Sequence, residues 1–219
     1  MIRTKIIPLA LLALSFGVIE VRDVASAKEV GPIGSDMRRP ALQMSKPGAA
    51  QESYASAVAA IQPLAESGDG LAQYCLGVLY RTGGQDLPQD SAKAIAWFTK
   101  AADQGDAGAM RELAIVYENG MPDLPADKAA AVLWYEKAAN RGDALAQLNL
   151  GLKFATGQDL KKDLVQAYKW LTLAGRGVFF DDEDARRKEI RQGREMLLTQ
   201  MTSTEVSMAE RQAHQFNVQ

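Results

Sequence analysis

The chain repeats itself at a fixed interval, and few features constrain a fold more tightly. Laid on itself, Gly68 falls over Gly105 and Gly142 at a spacing of 37 residues each time. Trp97, Trp134 and Trp170 align at spacings of 37 and 36. Leu76, Leu113 and Leu150 follow suit, as do Tyr80, Tyr117 and Phe154, then Gly83, Gly120 and Gly157, then Asp90, Asp127 and Asp163. The last interval is shorter because "GQDLKKD" has one residue fewer than "GMPDLPAD". A period in this range marks an array of supersecondary units, since one unit alone cannot bury its own apolar face.

Each unit reads as two antiparallel helices. In "DKAAAVLWYEKAANRG" Asp127 is an N-cap, and Ala131, Trp134, Tyr135 and Ala138 recur at helical spacing on one face. Gly142 supplies the left-handed residue that ends this helix without a Cβ clash. Asp143 caps a second helix with Ala146, Leu150 and Phe154 in its stripe, and Gly157 closes it. Ala72, Ala109 and Ala146 permit close helix approach. The tryptophans are expected to fill the space between hairpins, where truncating a buried one costs roughly 3–5 kcal/mol. The pairs Trp97-Phe98 and Trp134-Tyr135 are read accordingly as packed core.

"AIAWFTKAADQGDAGAM", "AVLWYEKAANRGDALAQLNLG" and "AQYCLGVLYRTGG" resemble Sel1-like repeats, relatives of the tetratricopeptide repeat, over residues 51–177. The resemblance implies an all-α fold, an α-solenoid of about 3.5 helix hairpins. The first unit departs from the pattern, with Ala60 for tryptophan and Pro63-Leu64 for Lys-Ala, as suits a terminal unit with one side in water. Ala114 stands where Gly77 and Gly151 stand in its neighbours. The fourth unit opens with "LVQAYKWLTLAG" and then diverges into residues 178–219, read as C-terminal capping helices. One begins at Asp181 or Asp182. The other follows a capping box of Thr202 and Glu205.

The chain opens with the plan of a signal peptide over residues 1–27. Arg3 and Lys5 precede an apolar run, and Ala25-Ser26-Ala27 offers a cleavage pattern. The run from Ile6 to Ile19 is shorter than the ~20 residues a membrane span needs. Retention as an anchor is the alternative to cleavage; once the signal is removed, no stable membrane insertion is expected. Residues 28–50, with three prolines and three glycines, read as a flexible linker. A periplasmic or secreted location follows. The net charge of −2 and the lack of any Lys- and Arg-dense face argue against nucleic acid as a partner.

The residues for catalysis are sparse. His214 is the sole histidine and Cys75 the sole cysteine, so neither a zinc ligand set nor an internal disulfide is available. No phosphate-binding glycine loop and no G-x-S-x-G turn occur. Gly83-Gly84 reads as a helix stop, "DDED" at 181–184 as a helix start, His214 as an exposed residue and Cys75 as a packed or half-exposed thiol. No catalytic, cofactor-binding or metal-binding residue is assigned. Cysteine-rich secreted Sel1-like proteins are linked to β-lactam hydrolysis, but their paired cysteines are missing here, so that activity is not carried over.

Relatives by resemblance include adaptors, assembly factors for surface polysaccharide machinery and restraints on sensor kinases. The expected function is a non-catalytic scaffold or adaptor of the bacterial envelope that binds a protein or peptide. The alternatives are a cell-wall or β-lactam-directed hydrolase, a periplasmic regulator of a sensor kinase or exopolysaccharide system, and a structural spacer. In tetratricopeptide-like solenoids the first helices line the concave side. By that analogy the partner face is expected at Lys93, Ala96, Thr99, Leu133, Glu136, Gln166 and Lys169, with Ala130 and Thr172 in the same rows.

Overall fold

A computed structural model of the chain describes residues 54–177 and 183–216. The expected signal peptide, the expected linker and the proposed helix starts at Asp181 and Asp182 lie outside the described residues. Those residues form nine helices: α1 (Tyr54–Glu66), α2 (Gly70–Thr82), α3 (Ser91–Asp103), α4 (Ala107–Asn119), α5 (Lys128–Asn140), α6 (Ala144–Thr156), α7 (Leu164–Ala174), α8 (Glu183–Leu198) and α9 (Ser203–Gln215). Consecutive helices from α1 to α8 pack against one another, and α9 returns to pack on α7. No strand occurs among the described residues apart from one isolated bridge between Met121 and Leu124.

The turn inside each hairpin is made the same way three times. At the end of α5 the N–H of Gly142 donates to the carbonyl of Ala139, and that of Asp143 to Ala138. These two bonds define a Schellman motif, which needs a left-handed residue at its glycine; Gly142 has φ of 88°. Gly105-Asp106 and Gly68-Asp69 repeat the pattern. The aspartate also starts the next helix, because its carboxylate accepts from the N–H three residues on. Asp69, Asp106 and Asp143 cap second helices in this way, and Asp90, Asp127 and Asp163 cap first helices, at 2.7–2.9 Å. Each such cap contributes about 1 kcal/mol. Thr202 and Glu205 complete the expected capping box at α9.

The connections between hairpins carry a periodic clasp of their own. The N–H groups of Asp90, Asp127 and Asp163 donate to the carbonyls of Tyr80, Tyr117 and Phe154. Asp123, in the loop after α4, accepts from the N–H and Oγ of Ser91 at 3.1 and 2.8 Å, tying that loop to the start of α3. These bonds hold the Asp123 carboxyl below its ordinary value. Asp86 in the loop after α2 likewise accepts from the backbone N–H groups of Tyr54 and Ala55 at the start of α1. Neither aspartate is singled out by the helical pattern, although they too are spaced by one period.

Ala72, Ala109 and Ala146 are fully buried beside Leu76, Leu113 and Leu150, as close helix approach requires. Phe98 and Tyr135 are the aromatics at the centre, at 0% and 1% exposure. The ring of Phe98 lies where a side chain on Gly77 would be, since a Cβ there would come within 2.5 Å of it. In the next unit Ala114 and Tyr135 take the corresponding places, both buried. Cys75 is buried in α2.

Polar groups also join the units. Arg81 on α2 pairs with Glu112 on α4 at 3.2 Å, and Arg111 with Asp143 at 3.2 Å. Lys153 on α6 contacts Glu118 at 2.5 Å and Asp159 at 2.8 Å, while the Tyr135 hydroxyl donates to Glu118 at 2.6 Å. Arg111 and Glu112, which break the repeat pattern, are thus seam residues. Burial alone would lower the Lys153 pKa, but hydrogen bonds to Asp159 and Glu118 outweigh it and move it above the ordinary lysine value.

Two outcomes follow from this packing. Gly77→Ala should lower the urea midpoint: alanine gains about 1 kcal/mol in helix propensity, but overpacking costs about 1–3 kcal/mol. An unchanged or higher midpoint would contradict the contact with Phe98. Lys153→Met should cost about 3 kcal/mol by leaving a half-buried carboxylate without its cation, and adding Glu118→Gln should recover part of the loss. Because the folded pKa of Lys153 is raised, the pair stabilises fully below the ordinary value of 10.5 and is lost as pH rises through the folded value. Urea curves of the wild type and Lys153→Met should therefore differ at neutral pH and converge in strong alkali.

Candidate functional site

The packing of α9 on α7 shows which face of a first helix can accept another element. Gln166 Nε2 donates to Gln212 Oε1 at 3.2 Å, and Arg176 Nη1 to the carbonyl of Ala213 at 2.8 Å. Phe216 sets its ring edge-on to Trp170, with centroids 5.6 Å apart at 73°. The Lys169 ammonium lies 4.1 Å from the Trp170 ring centroid and 5.7 Å from that of Phe216. Burial under this cover lowers its pKa. Leu173, on the same side of α7, is buried in one cluster with Trp170 and Ala213. Gln166, Lys169, Trp170 and Leu173 therefore form one helical stripe continued by Arg176 just past the helix end, and α9 sets Ala213 against it, while Ala209 packs in the neighbouring cluster with Ala167 and Leu171.

The repeat carries that stripe to the other units. On α5 it becomes Ala130, Leu133, Trp134, Lys137 and Asn140; on α3 it becomes Lys93, Ala96, Trp97, Lys100 and Asp103. Here nothing among the described residues plays the part of α9. Leu133 is 59% exposed, whereas Trp170 is 5% exposed under Phe216. Trp97 and Trp134 are half-buried. Lys100 and Lys137 stand where α7 has Leu173, and each folds its ammonium over the tryptophan of its own helix, at 3.9 and 3.8 Å from the centroid. Such a cation–π contact contributes about 0.5–1 kcal/mol at an exposed site.

The residues expected to line the partner face divide three ways. Lys93, Ala96 and Leu133 are exposed on the stripe. Lys93 pairs with Asp90 at 3.1 Å and lies over the Tyr80 ring; the hydrogen bond it donates to the Asp90 carboxylate raises its pKa. Thr99 and Glu136 are half-buried one position beside the stripe. Gln166 and Lys169 are on it but held by the chain's own last helix. The expectation of packed tryptophans holds for Trp170 and in part for the other two. Phe98 and Tyr135 are buried at the centre, while Trp97 and Trp134 are half-buried and pack against the same core cluster from its edge. One signal in the sequence marks the difference: leucine replaces lysine three residues after the tryptophan only in the unit that α9 covers.

Among the described residues no group of His, Cys, Asp and Glu is arranged to hold a metal ion. His214 is exposed near the end of α9.

The Sel1 repeat profile matches residues 70–106, 107–143 and 144–177, each beginning at a second helix and ending in the following hairpin turn. A Sel1 repeat protein from Oxalobacter formigenes is 30% identical in sequence, aligns over 62% of this chain and 97% of its own, and superposes with a TM-score of 0.50. The chain belongs to the Sel1 repeat family. Sel1 repeat proteins are typically protein-interaction scaffolds, and the α-solenoid described above is the architecture they share. A protective antigen of uropathogenic Escherichia coli with an SLR fold is 24% identical, over 84% of this chain and 45% of its own, with a TM-score of 0.41. The immunity protein Pa5087 of Pseudomonas aeruginosa is 16% identical, over 83% of this chain and 86% of its own, with a TM-score of 0.37. No match was found among curated proteins.

The contrast between covered and open tryptophans is measurable. Trp170→Ala should destabilise by about 3–5 kcal/mol, the range for a buried aromatic, and Trp134→Ala by clearly less. Urea denaturation of both variants decides the order, and equal losses would place Trp134 in the core after all.

Proposed function

We propose that this chain is a non-catalytic scaffold of the bacterial envelope that binds a protein or peptide along the stripe on α3 and α5. The observation that carries the reading is Leu133, a large apolar side chain 59% exposed on the same stripe as the half-buried Trp134. The same stripe on α7 is closed by a helix of the chain itself, so its geometry is suited to covering. Large exposed apolar groups clustered on one face mark interaction surfaces more often than single scattered ones do. The envelope location rests on the signal-peptide pattern of residues 1–27. No described helix is long and apolar enough to cross a membrane, which agrees with a scaffold that works beside the membrane.

A photo-crosslinking amino acid at position 133 of the full chain tests this reading in the cells that produce it. Irradiation should give discrete protein adducts from position 133 and none from Gln158, an exposed loop residue away from the stripe. The same pattern from both positions, or no adduct from 133, would remove the support for this face. Fractionation of the same cells should place the chain outside the cytoplasm.

A further inference from the structure

We infer that the partner presents an amphipathic α-helix, seated on α3 and α5 as α9 is seated on α7. This inference rests on the scaffold reading and specifies what the scaffold binds. The argument is continuity of one interface along the array. The contact that exists, α9 on α7, uses a helix rather than an extended strand, and it presents to the tryptophan stripe a small residue, Ala213, followed by an aromatic just past its end, Phe216. The repeat reproduces the receiving tryptophan at 134 and 97 with its position on the helix kept. Where the stripes differ, the differences define the occupant. Leu133 replaces Lys169 and projects further apolar surface, which calls for small residues opposite it. Lys100 and Lys137 replace Leu173, and their ammonium groups lie over tryptophan rings with no ion pair to a described carboxylate. An approaching helix with acidic residues beside its small-residue stripe gives each lysine a carboxylate as it leaves the ring. Recognition of an apolar helical stripe with flanking charges is a general mode of helix-in-groove binding.

Charge also argues against the linker as the occupant. Residues 28–50 carry Lys28, Arg38, Arg39 and Lys46 against Glu29 and Asp36. The stripe carries Lys93, Lys100 and Lys137 against Asp103. Like charges would meet.

The test uses the full chain and three end-capped, fluorescein-labelled peptides. One has the sequence of residues 203–216, one carries Arg211→Glu in that sequence, and one is scrambled. Each is also made with a side-chain staple on the face away from Ala209 and Ala213, so that weak helicity in water does not hide binding. Fluorescence anisotropy should show micromolar binding of the first two, tighter for the acidic one, and none of the scrambled one. Leu133→Glu should weaken binding by at least about tenfold, and Lys100→Glu with Lys137→Glu should abolish the preference for the acidic peptide. Leu133 is exposed, so the variant's circular dichroism melt should match that of the wild type. Equal binding of the scrambled peptide overturns the inference. So does loss of binding with Lys169→Glu but not Leu133→Glu, which would mean exchange with the chain's own α9. If position 133 crosslinks to a partner but no stapled peptide binds, the helix inference falls and the scaffold reading stands. If neither occurs, both fall.

Discussion

One residue serves two helices in each regular hairpin, and the geometry of the array follows from it. Asp143 gives its N–H to the last turn of α5 and accepts the N–H of Ala146 with its carboxylate at the start of α6. Gly142 beside it is the only residue type that takes the required left-handed backbone without strain. With no slack between the two helices, their crossing geometry is set locally. Asp106 and Asp69 set it identically in the units before. Equal hairpins then stack with equal offsets, which is why alanine, leucine and aromatic positions meet their counterparts from unit to unit. In the fourth unit the corresponding residues are Val178 and Phe179, which supply neither the left-handed glycine nor the capping carboxylate. There the regular pattern ends.

The stacked units are joined asymmetrically. Between second helices, ion pairs from the half-buried Arg81 to the buried Glu112 and from the buried Lys153 to the half-buried Glu118 span the seams. Buried ion pairs of this sort contribute modest net stability but penalise any arrangement that separates the partners. They specify which unit follows which. On the first-helix side, by contrast, the contacts are apolar and partly open to solvent, with lysine stems and ammonium groups laid over tryptophan rings. One side of the array is a fixed joint and the other is an unfilled face.

The last helix shows how that face behaves when filled. Under Phe216 a tryptophan that is only half-buried elsewhere becomes buried, a lysine loses part of its solvation, and the neighbouring lysine position has become leucine. α9 follows the repeat array and folds back onto α7. Here it covers part of the row expected to meet a partner, which shifts the open part of that row to α3 and α5.

Period, hairpin turns, helix caps and the alternation of first and second helices could all be read from the sequence alone. Each depends on residues close together in the chain: a glycine and aspartate at a turn, an alanine stripe within one helix, a capping threonine and its glutamate. Exposure of Lys93, Ala96 and Leu133 was legible for the same reason. Two matters depended on tertiary structure. Trp134 and Tyr135 are adjacent aromatics about 100° apart on a helix, and helical spacing alone admits either to the core. The neighbouring helices decide, and they bury Tyr135, whose hydroxyl finds Glu118, and leave Trp134 half-buried at the edge of the core. Gln166 and Lys169 were legible as outward-facing but not as covered, because the covering groups, Gln212 and Phe216, come from a helix more than 40 residues further along. Local chemistry wrote the units; contacts across long sequence separations chose which of their faces stays open.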